Sequence, residues 1–232
     1  MPAARPIALV TGASSGIGRE IARDLARTHE VIALGRDRAR LAEVGADRAL
    51  AAELTDPAAL ADDGPIAELL GGFDRLDVLV HSAAVGTAAF ERTDAAEWHR
   101  QFDTNVIAPA LITRLALPLL RAARGTVVFI GSGVSVRPAR EMGAYVATKH
   151  ALKGLADTLR LEVEPDGIRV ATVMPGQVAT PMQVELQAGL GGEYRPDDYL
   201  EPASVAGVVR FVVDAGDDAQ IADVLVRPRP RR

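Results

Sequence analysis

The sequence predicts a single-domain α/β fold, a doubly wound parallel sheet of about seven strands flanked by helices. Three observations predict it. Short β-rich runs alternate with longer helical patterns along all 232 residues. Most of those runs are apolar along their whole length, as strands covered on both faces must be. The first run passes through a glycine-rich turn directly into a helix, the way a βαβ unit begins.

The elements follow in order. Residues 7–10 (IALV) form the first apolar strand, and 16–27 carry the first helical pattern. Residues 31–34 (VIAL) form the second strand, with a short helix at 38–44. Residues 48–51 form the third strand. The helical stretch 57–70 is interrupted at Gly64-Pro65, because proline removes a backbone donor and clashes with the preceding turn. The fourth strand is expected at 77–80 and a long helix at 95–121. Strand 126–130 (TVVFI) is followed by a helix at 143–164, strand 169–173, a helix at 204–214 and strand 223–226. This spacing implies right-handed crossovers and a parallel sheet. No repeat and no linker-like shift in composition interrupts it, so residues 1–232 are expected to form one domain. The stretch 183–201 is Gly-rich, holds two of the three tyrosines, and is expected to be a lid.

Composition narrows the function classes. Twenty-six Lys and Arg against 31 Asp and Glu leave a net charge of −5, which argues against whole-domain nucleic-acid binding. With no cysteine there is no disulfide framework, thiol nucleophile or Cys-ligated zinc. No uninterrupted apolar run reaches the ~18–20 residues of a membrane span, and the N-terminal MPAARPIALVTG lacks a signal-peptide core. A soluble cytoplasmic protein is expected.

Chemistry is concentrated in a few motifs. After the first strand comes Thr11-Gly12-Ala13-Ser14-Ser15-Gly16-Ile17-Gly18. Glycines here permit a tight turn and close approach of backbone to a pyrophosphate, and the helix N-terminus offers free N–H groups. A P-loop would end in Gly-Lys-Ser/Thr, which is absent. Further on, Tyr145-Val146-Ala147-Thr148-Lys149 opens a helix, and the offset of four puts both side chains on one face. A neighbouring ammonium favours phenolate, so Lys149 is expected to lower the Tyr145 pKa and ready it for proton exchange with a hydroxyl or carbonyl. Surface Tyr–Lys pairs share this spacing; here, however, the lysine is one of only two, the other being Lys153. Ser132, thirteen residues before Tyr145, ends an apolar strand, where ligands bind in such sheets. A serine there also reads as an ordinary turn residue.

These motifs resemble those of the classical short-chain dehydrogenases/reductases, a Rossmann-type family, from Ile7 to about Arg227. The resemblance implies a nicotinamide-dependent oxidoreductase interconverting an alcohol and a carbonyl compound. It implies that Tyr145 is the acid/base, that Lys149 also binds the nicotinamide ribose, and that Ser132 orients the substrate oxygen. It places the family's fourth catalytic residue at Asn105, the only Asn in the chain. An Asn inside a helix competes for backbone bonds and often bends it; the family uses this to hold a relay water behind Lys149. It assigns cofactor contacts to Gly12, Ser14, Ser15, Gly16, Ile17 and Gly18 in the turn, and to Glu53 and Leu54 beside the adenine. It assigns further contacts to Ser82, Ala83 and Ala84 after the fourth strand, and to Pro175, Gly176, Val178 and Thr180 after the sixth. The family's Asn-Asn-Ala-Gly stands here as His81-Ser82-Ala83-Ala84, with His81 read as a structural replacement.

Cofactor choice is expected at the end of the second strand. A carboxylate there bonds the ribose hydroxyl of NAD, whereas a guanidinium pairs with the 2′-phosphate of NADP. By resemblance Gly35 occupies the acidic position and Arg36 the phosphate-binding one, which favours NADP; Asp37 keeps NAD as the alternative. Val85, Val134, Val136 and Met142 are expected to line an apolar substrate pocket, with Met182, Leu186 and Tyr194 on the lid and Arg137 and Arg140 near the mouth. His29, His99 and His150 are read as surface residues without metal partners, and the basic tail 227–232 as a solvated end. A homodimer or homotetramer paired through the long helices is expected, acting on a small-molecule substrate with neither nucleic acid nor membrane as partner. The rival from another class is a catalytically silent nucleotide-sensing or interaction protein on the same fold.

Overall fold

The computed structural model describes residues 4–86 and 90–229. Seven parallel strands form one sheet in the order β3-β2-β1-β4-β5-β6-β7. They are β1 (Ile7–Thr11), β2 (Glu30–Gly35), β3 (Arg48–Ala51), β4 (Val78–His81), β5 (Thr126–Ile130), β6 (Arg169–Pro175) and β7 (Asp223–Val226). The order reverses between β1 and β4, which pair with Ala8 opposite Val78 and Thr11 opposite His81. At such a reversal the flanking connections leave for opposite faces, and a crevice opens beyond the strand ends.

Helices cover both faces: α1 (Gly16–Leu25), α2 (Arg38–Ala42), α3 (Pro65–Leu70), α4 (Ala95–Phe102), α5 (Ala108–Ala123), α6 (Gly143–Val163), α7 (Pro181–Gly189) and α8 (Pro202–Val213). Successive strand side chains point to opposite faces. Ala8 and Val10 therefore join Ile21, Leu25, Val205 and Val209 in one core layer. Leu9 joins Ile66, Ile112, Leu120, Leu152 and Leu159 in the other. Central strands are buried beyond their first residue, while β3 and β7 at the sheet edges alternate or face water.

Four differences from expectation have physical reasons. The helix expected over 95–121 is interrupted by a π-helical turn at Asp103–Ile107, centred on Asn105. The stretch 183–201 is not loop throughout, since α7 occupies its first part. Thr180 caps that helix by accepting from the Gln183 N–H, and Pro181 fits its first turn. The base of the segment is pinned where Ala179 N–H donates to Leu200 C=O and Leu200 N–H donates to Gln177 C=O. His29 is buried rather than on the surface, its ring beside the Thr28 hydroxyl at 2.8 Å. Finally, Ala95–Ala123 taken as one helical run is long and apolar enough by composition to cross a membrane, although Ile112, Ala116 and Leu120 within it pack on the sheet. Of the basic tail, Arg227 and Arg229 are exposed, and residues 230–232 lie outside the described residues.

Candidate active site

The crevice at the carboxyl ends of the strands is a cavity of about 330 Å³. Its floor begins with the glycine turn. Gly12 has φ +67°, and a Cβ there would sit 2.7 Å from the Ala83 backbone. A Cβ on Gly18 would lie 2.3 Å from the Gly12 carbonyl oxygen, so α1 can approach the turn only without a side chain. Thr11 Oγ1 accepts from the N–H groups of Ser82 and Ala83, both at 3.1 Å, and ties the β1 and β4 ends together. Ser15 precedes α1 without capping it through its side chain, which leaves the helix N–H groups facing the cavity free for an anion. These features fit a dinucleotide pyrophosphate.

Gly12, Ser14, Ser15, Gly16, Ile17 and Gly18 line this cavity, as do Arg36, Glu53, Leu54, Ser82, Ala83 and Ala84. Ser132, Tyr145, Lys149, Pro175, Gly176, Val178 and Thr180 line it as well. Of the predicted catalytic and cofactor-binding residues only Asn105 stands behind the wall. Val85, Val134, Met182 and Leu186 lie on the wall as expected; Val136, Met142, Arg137, Arg140 and Tyr194 do not. Val136 is half exposed, and Tyr194 packs against Tyr199 with ring centres 5.4 Å apart. Thr104, Gln177 and Gln183 are wall residues that the motifs did not indicate. The Thr180-Pro181 helix start was the available signal for Gln183.

Tyr145 and Lys149 share one face of α6, and Lys149 Nζ lies 5.6 Å from the Tyr145 ring centre. Nζ donates to the Ile130 carbonyl at 2.9 Å. Contrary to expectation, the Tyr145 phenol is pushed up to about 12 by burial, with the Ser132 side chain pulling the other way. Burial also pulls Lys149 down to about 8. Both shifts disfavour a charge held away from water. Ser132 accepts from Val134 N–H at 3.3 Å, while the nearby Ser135 is buried and accepts from the Ser132 N–H at 3.1 Å. Ser135 is thereby occupied in shaping the turn.

Asn105 is fully buried in the π-helical turn. Its Oδ1 accepts from Val85 N–H at 2.8 Å, and its Nδ2 donates to Val85 C=O at 2.8 Å and to Thr148 Oγ1 at 3.0 Å. The amide is thus spent on protein partners. His81 is buried with one ring nitrogen 2.8 Å from Thr113 Oγ1 and its ring stacked on Phe129 at 4.9 Å. Burial drops its pKa to about 3, so it is neutral, in keeping with a structural part. At the outer end Arg36 Nη1 stands 3.7 Å from Glu53 Oε2, both side chains substantially exposed.

A family model described as short chain dehydrogenase matches residues 6–191. A short-chain type dehydrogenase/reductase of Sinorhizobium fredii, itself uncharacterised, is 32% identical over 232 residues, covering 96% of this chain and 91% of that one. The trans-4-hydroxycyclohexanecarboxylate dehydrogenase of Sinomonas cyclohexanicum is 33% identical over 202 residues, covering 81% and 78%. Among solved structures, an alcohol dehydrogenase from the archaeon Thermococcus sibiricus, complexed with 5-hydroxy-NADP, superimposes with a TM-score of 0.86. It is 26% identical, and 98% of each chain is covered.

Proposed function

We propose, from the premise that this chain belongs to the short-chain dehydrogenase/reductase family, that it is an NADP-dependent oxidoreductase interconverting an alcohol and a carbonyl compound. The single observation that carries the reading is the convergence of Ser132, Tyr145 and Lys149 on the cavity that the glycine turn opens. Arg36 at the end of β2, where Gly35 leaves no carboxylate, supports NADP over NAD. The 5-hydroxy-NADP complex of the archaeal alcohol dehydrogenase agrees with that choice. Residues Gly12 to Gly18 would hold the pyrophosphate, and Ser82–Ala84 with Pro175, Gly176, Val178 and Thr180 the nicotinamide half. When bound, the nicotinamide supplies or accepts the hydride at the substrate carbon.

The chain's own residues handle the oxygen. With its pKa near 12, Tyr145 holds its proton at neutral pH, the form that gives a proton to a carbonyl oxygen. Ser132 Oγ, on the same cavity wall as Tyr145, orients that oxygen and stabilises the charge developing on it. Lys149, charged below about pH 8, supplies the positive field that limits the cost of moving the proton. Val85, Val134, Met182 and Leu186 exclude water and favour a small or medium, mostly apolar substrate. The names of the two relatives, an alcohol dehydrogenase and a dehydrogenase of a hydroxylated cyclohexane acid, support an alcohol/carbonyl pair.

A cytoplasmic homodimer or homotetramer completes the reading. Exposed Ile107 beside α5 and Leu161 on α6, 45% and 72% exposed, support pairing through those helices. The test of function is a panel of ketones and aldehydes with NADPH and with NADH, followed by nicotinamide absorbance. Turnover of none of them, with cofactor still bound, would return the protein to the silent nucleotide-sensing class. Light scattering at micromolar concentration tests the assembly, and a monomeric mass counts against it.

A further inference from the structure

Gly86 lies five residues beyond the end of β4. Its backbone lies outside the left-handed region, so its own conformation does not demand glycine. Its surroundings do. A Cβ on Gly86 would lie 2.7 Å from Cδ2 of Tyr145, 3.2 Å from Cε2 and 3.3 Å from Cγ. Carbon atoms in ordinary contact stand about 3.5–4.0 Å apart. The loop therefore meets the flat side of the Tyr145 ring with no room for even a methyl group.

Both sides are held at the backbone. Val85, the residue before Gly86, is held at its N–H and its C=O by Asn105. The same amide donates to Thr148, whose hydroxyl donates to the Tyr145 carbonyl at 2.8 Å. Asn105, Val85, Gly86, Tyr145 and Thr148 thus close a circuit of contacts through the backbone and the ring of Tyr145. We propose that Gly86 is a positioning residue for the Tyr145 phenol: its bare Cα is the backstop that sets where the phenol oxygen stands against the substrate. This rests on the reading of Tyr145 as the proton carrier. A methyl at Gly86 would have to move the ring by most of an ångström, and a misplacement of about 1 Å can lower a rate roughly 100-fold.

The test is a set of variants in the full chain: Gly86→Ala, Tyr145→Phe, their combination, and Gly86→Ala in a Tyr145→Ala background. Gly86→Ala is expected to lower kcat roughly 10- to 100-fold. Cofactor affinity should stay within about twofold, as one residue off the cavity wall allows. In the Tyr145→Phe background, which has no phenol to aim, Gly86→Ala should lower the residual rate no further. The thermal midpoint should fall for Gly86→Ala and recover once Tyr145→Ala empties the ring's place. An unchanged kcat in Gly86→Ala, or an equal loss with and without the phenol, overturns the proposal. If Gly86→Ala does not fold alone, folding in the Tyr145→Ala background supports the contact, and failure in both overturns it. Undiminished turnover by Tyr145→Phe alone sinks instead the reading of Tyr145 on which the proposal stands.

Discussion

Asn105 grips Val85 from both sides, accepting from its N–H and donating to its C=O at 2.8 Å each, as a neighbouring strand would. The π-helical turn aims the amide at that loop instead of along the helix. A wide turn of this kind is rare and recurs at functional sites.

Asn105→Ala should therefore do more than slow turnover. It leaves two backbone groups of Val85 unpaired, each worth about 1–3 kcal/mol if it stays buried. Thermal midpoint and rate per folded molecule should both fall. A lowered midpoint with an unchanged rate would confine Asn105 to a structural role, and an unchanged midpoint would contradict the hydrogen bonds.

Tyr145→Phe should lower turnover by orders of magnitude and leave cofactor binding nearly intact, since only the transferable proton is lost. Lys149→Ala should damage both. The pH profile adds a sign. Lys149 is charged below about 8 and loses its charge above, so carbonyl reduction should decline as pH rises through that value. Lys149→Arg keeps its charge at any such pH, and whatever rate it retains should not show that decline. A wild-type profile flat to pH 10 would remove Lys149 from the chemistry.

Arg36→Ala should weaken NADPH binding and spare NADH. A charge-assisted contact is worth roughly 1.5–3 kcal/mol, or ten- to a hundredfold. The exposure of this side chain, 66%, puts the expectation at the lower end. Glu53→Gln, by releasing Arg36 from its carboxylate neighbour, should tighten NADPH up to about fivefold. Titration followed by Trp98 fluorescence or calorimetry decides. Equal losses for both cofactors would make Arg36 a support of the fold, and a wild-type preference for NADH would overturn the NADP reading.

His81 should make the fold sensitive to acid. Its folded pKa of about 3 lies below the ordinary 6.5, so between those values the unfolded chain takes up a proton that the folded chain refuses. Stability is unaffected above pH 6.5 and declines as pH falls toward 3, by up to about 1.4 kcal/mol per unit. His29, lowered chiefly by burial and then by Arg210, acts in the same sense. His81→Asn should flatten part of this slope in urea titrations between pH 6.5 and 4. An identical slope would mean that His81 is protonated in the folded protein.

The central strands and the glycine turn could be read from the chain because both-face burial writes itself as unbroken apolar runs, and a close backbone approach as glycine. The helix break at Gly64-Pro65 was legible for a similar reason. The π-helical turn was not, since an apolar helical pattern continues through Asn105 and only the partner loop explains the extra residue. α7 was hidden by the glycines that follow it, although Thr180-Pro181 announces its start. The Tyr145 pKa went the other way because proximity to Lys149 is visible in spacing and depth of burial is not. Tyr194 left the expected wall for the same reason: its partner Tyr199 is a matter of how the segment folds back.

The strand order carries a consequence for biosynthesis. β3, β2 and β1 are all made by the time Ala51 is added and can assemble among themselves, but β1 then waits with one edge open until β4 emerges from the ribosome. From there the sheet grows one strand at a time in the order of synthesis, each new edge being the newest strand. The walls of the cavity, however, run from Gly12 to Leu186. A ligand that needs both halves of it can stabilise only a chain already made as far as Leu186, and so can rescue the folded protein without guiding the earlier nascent one.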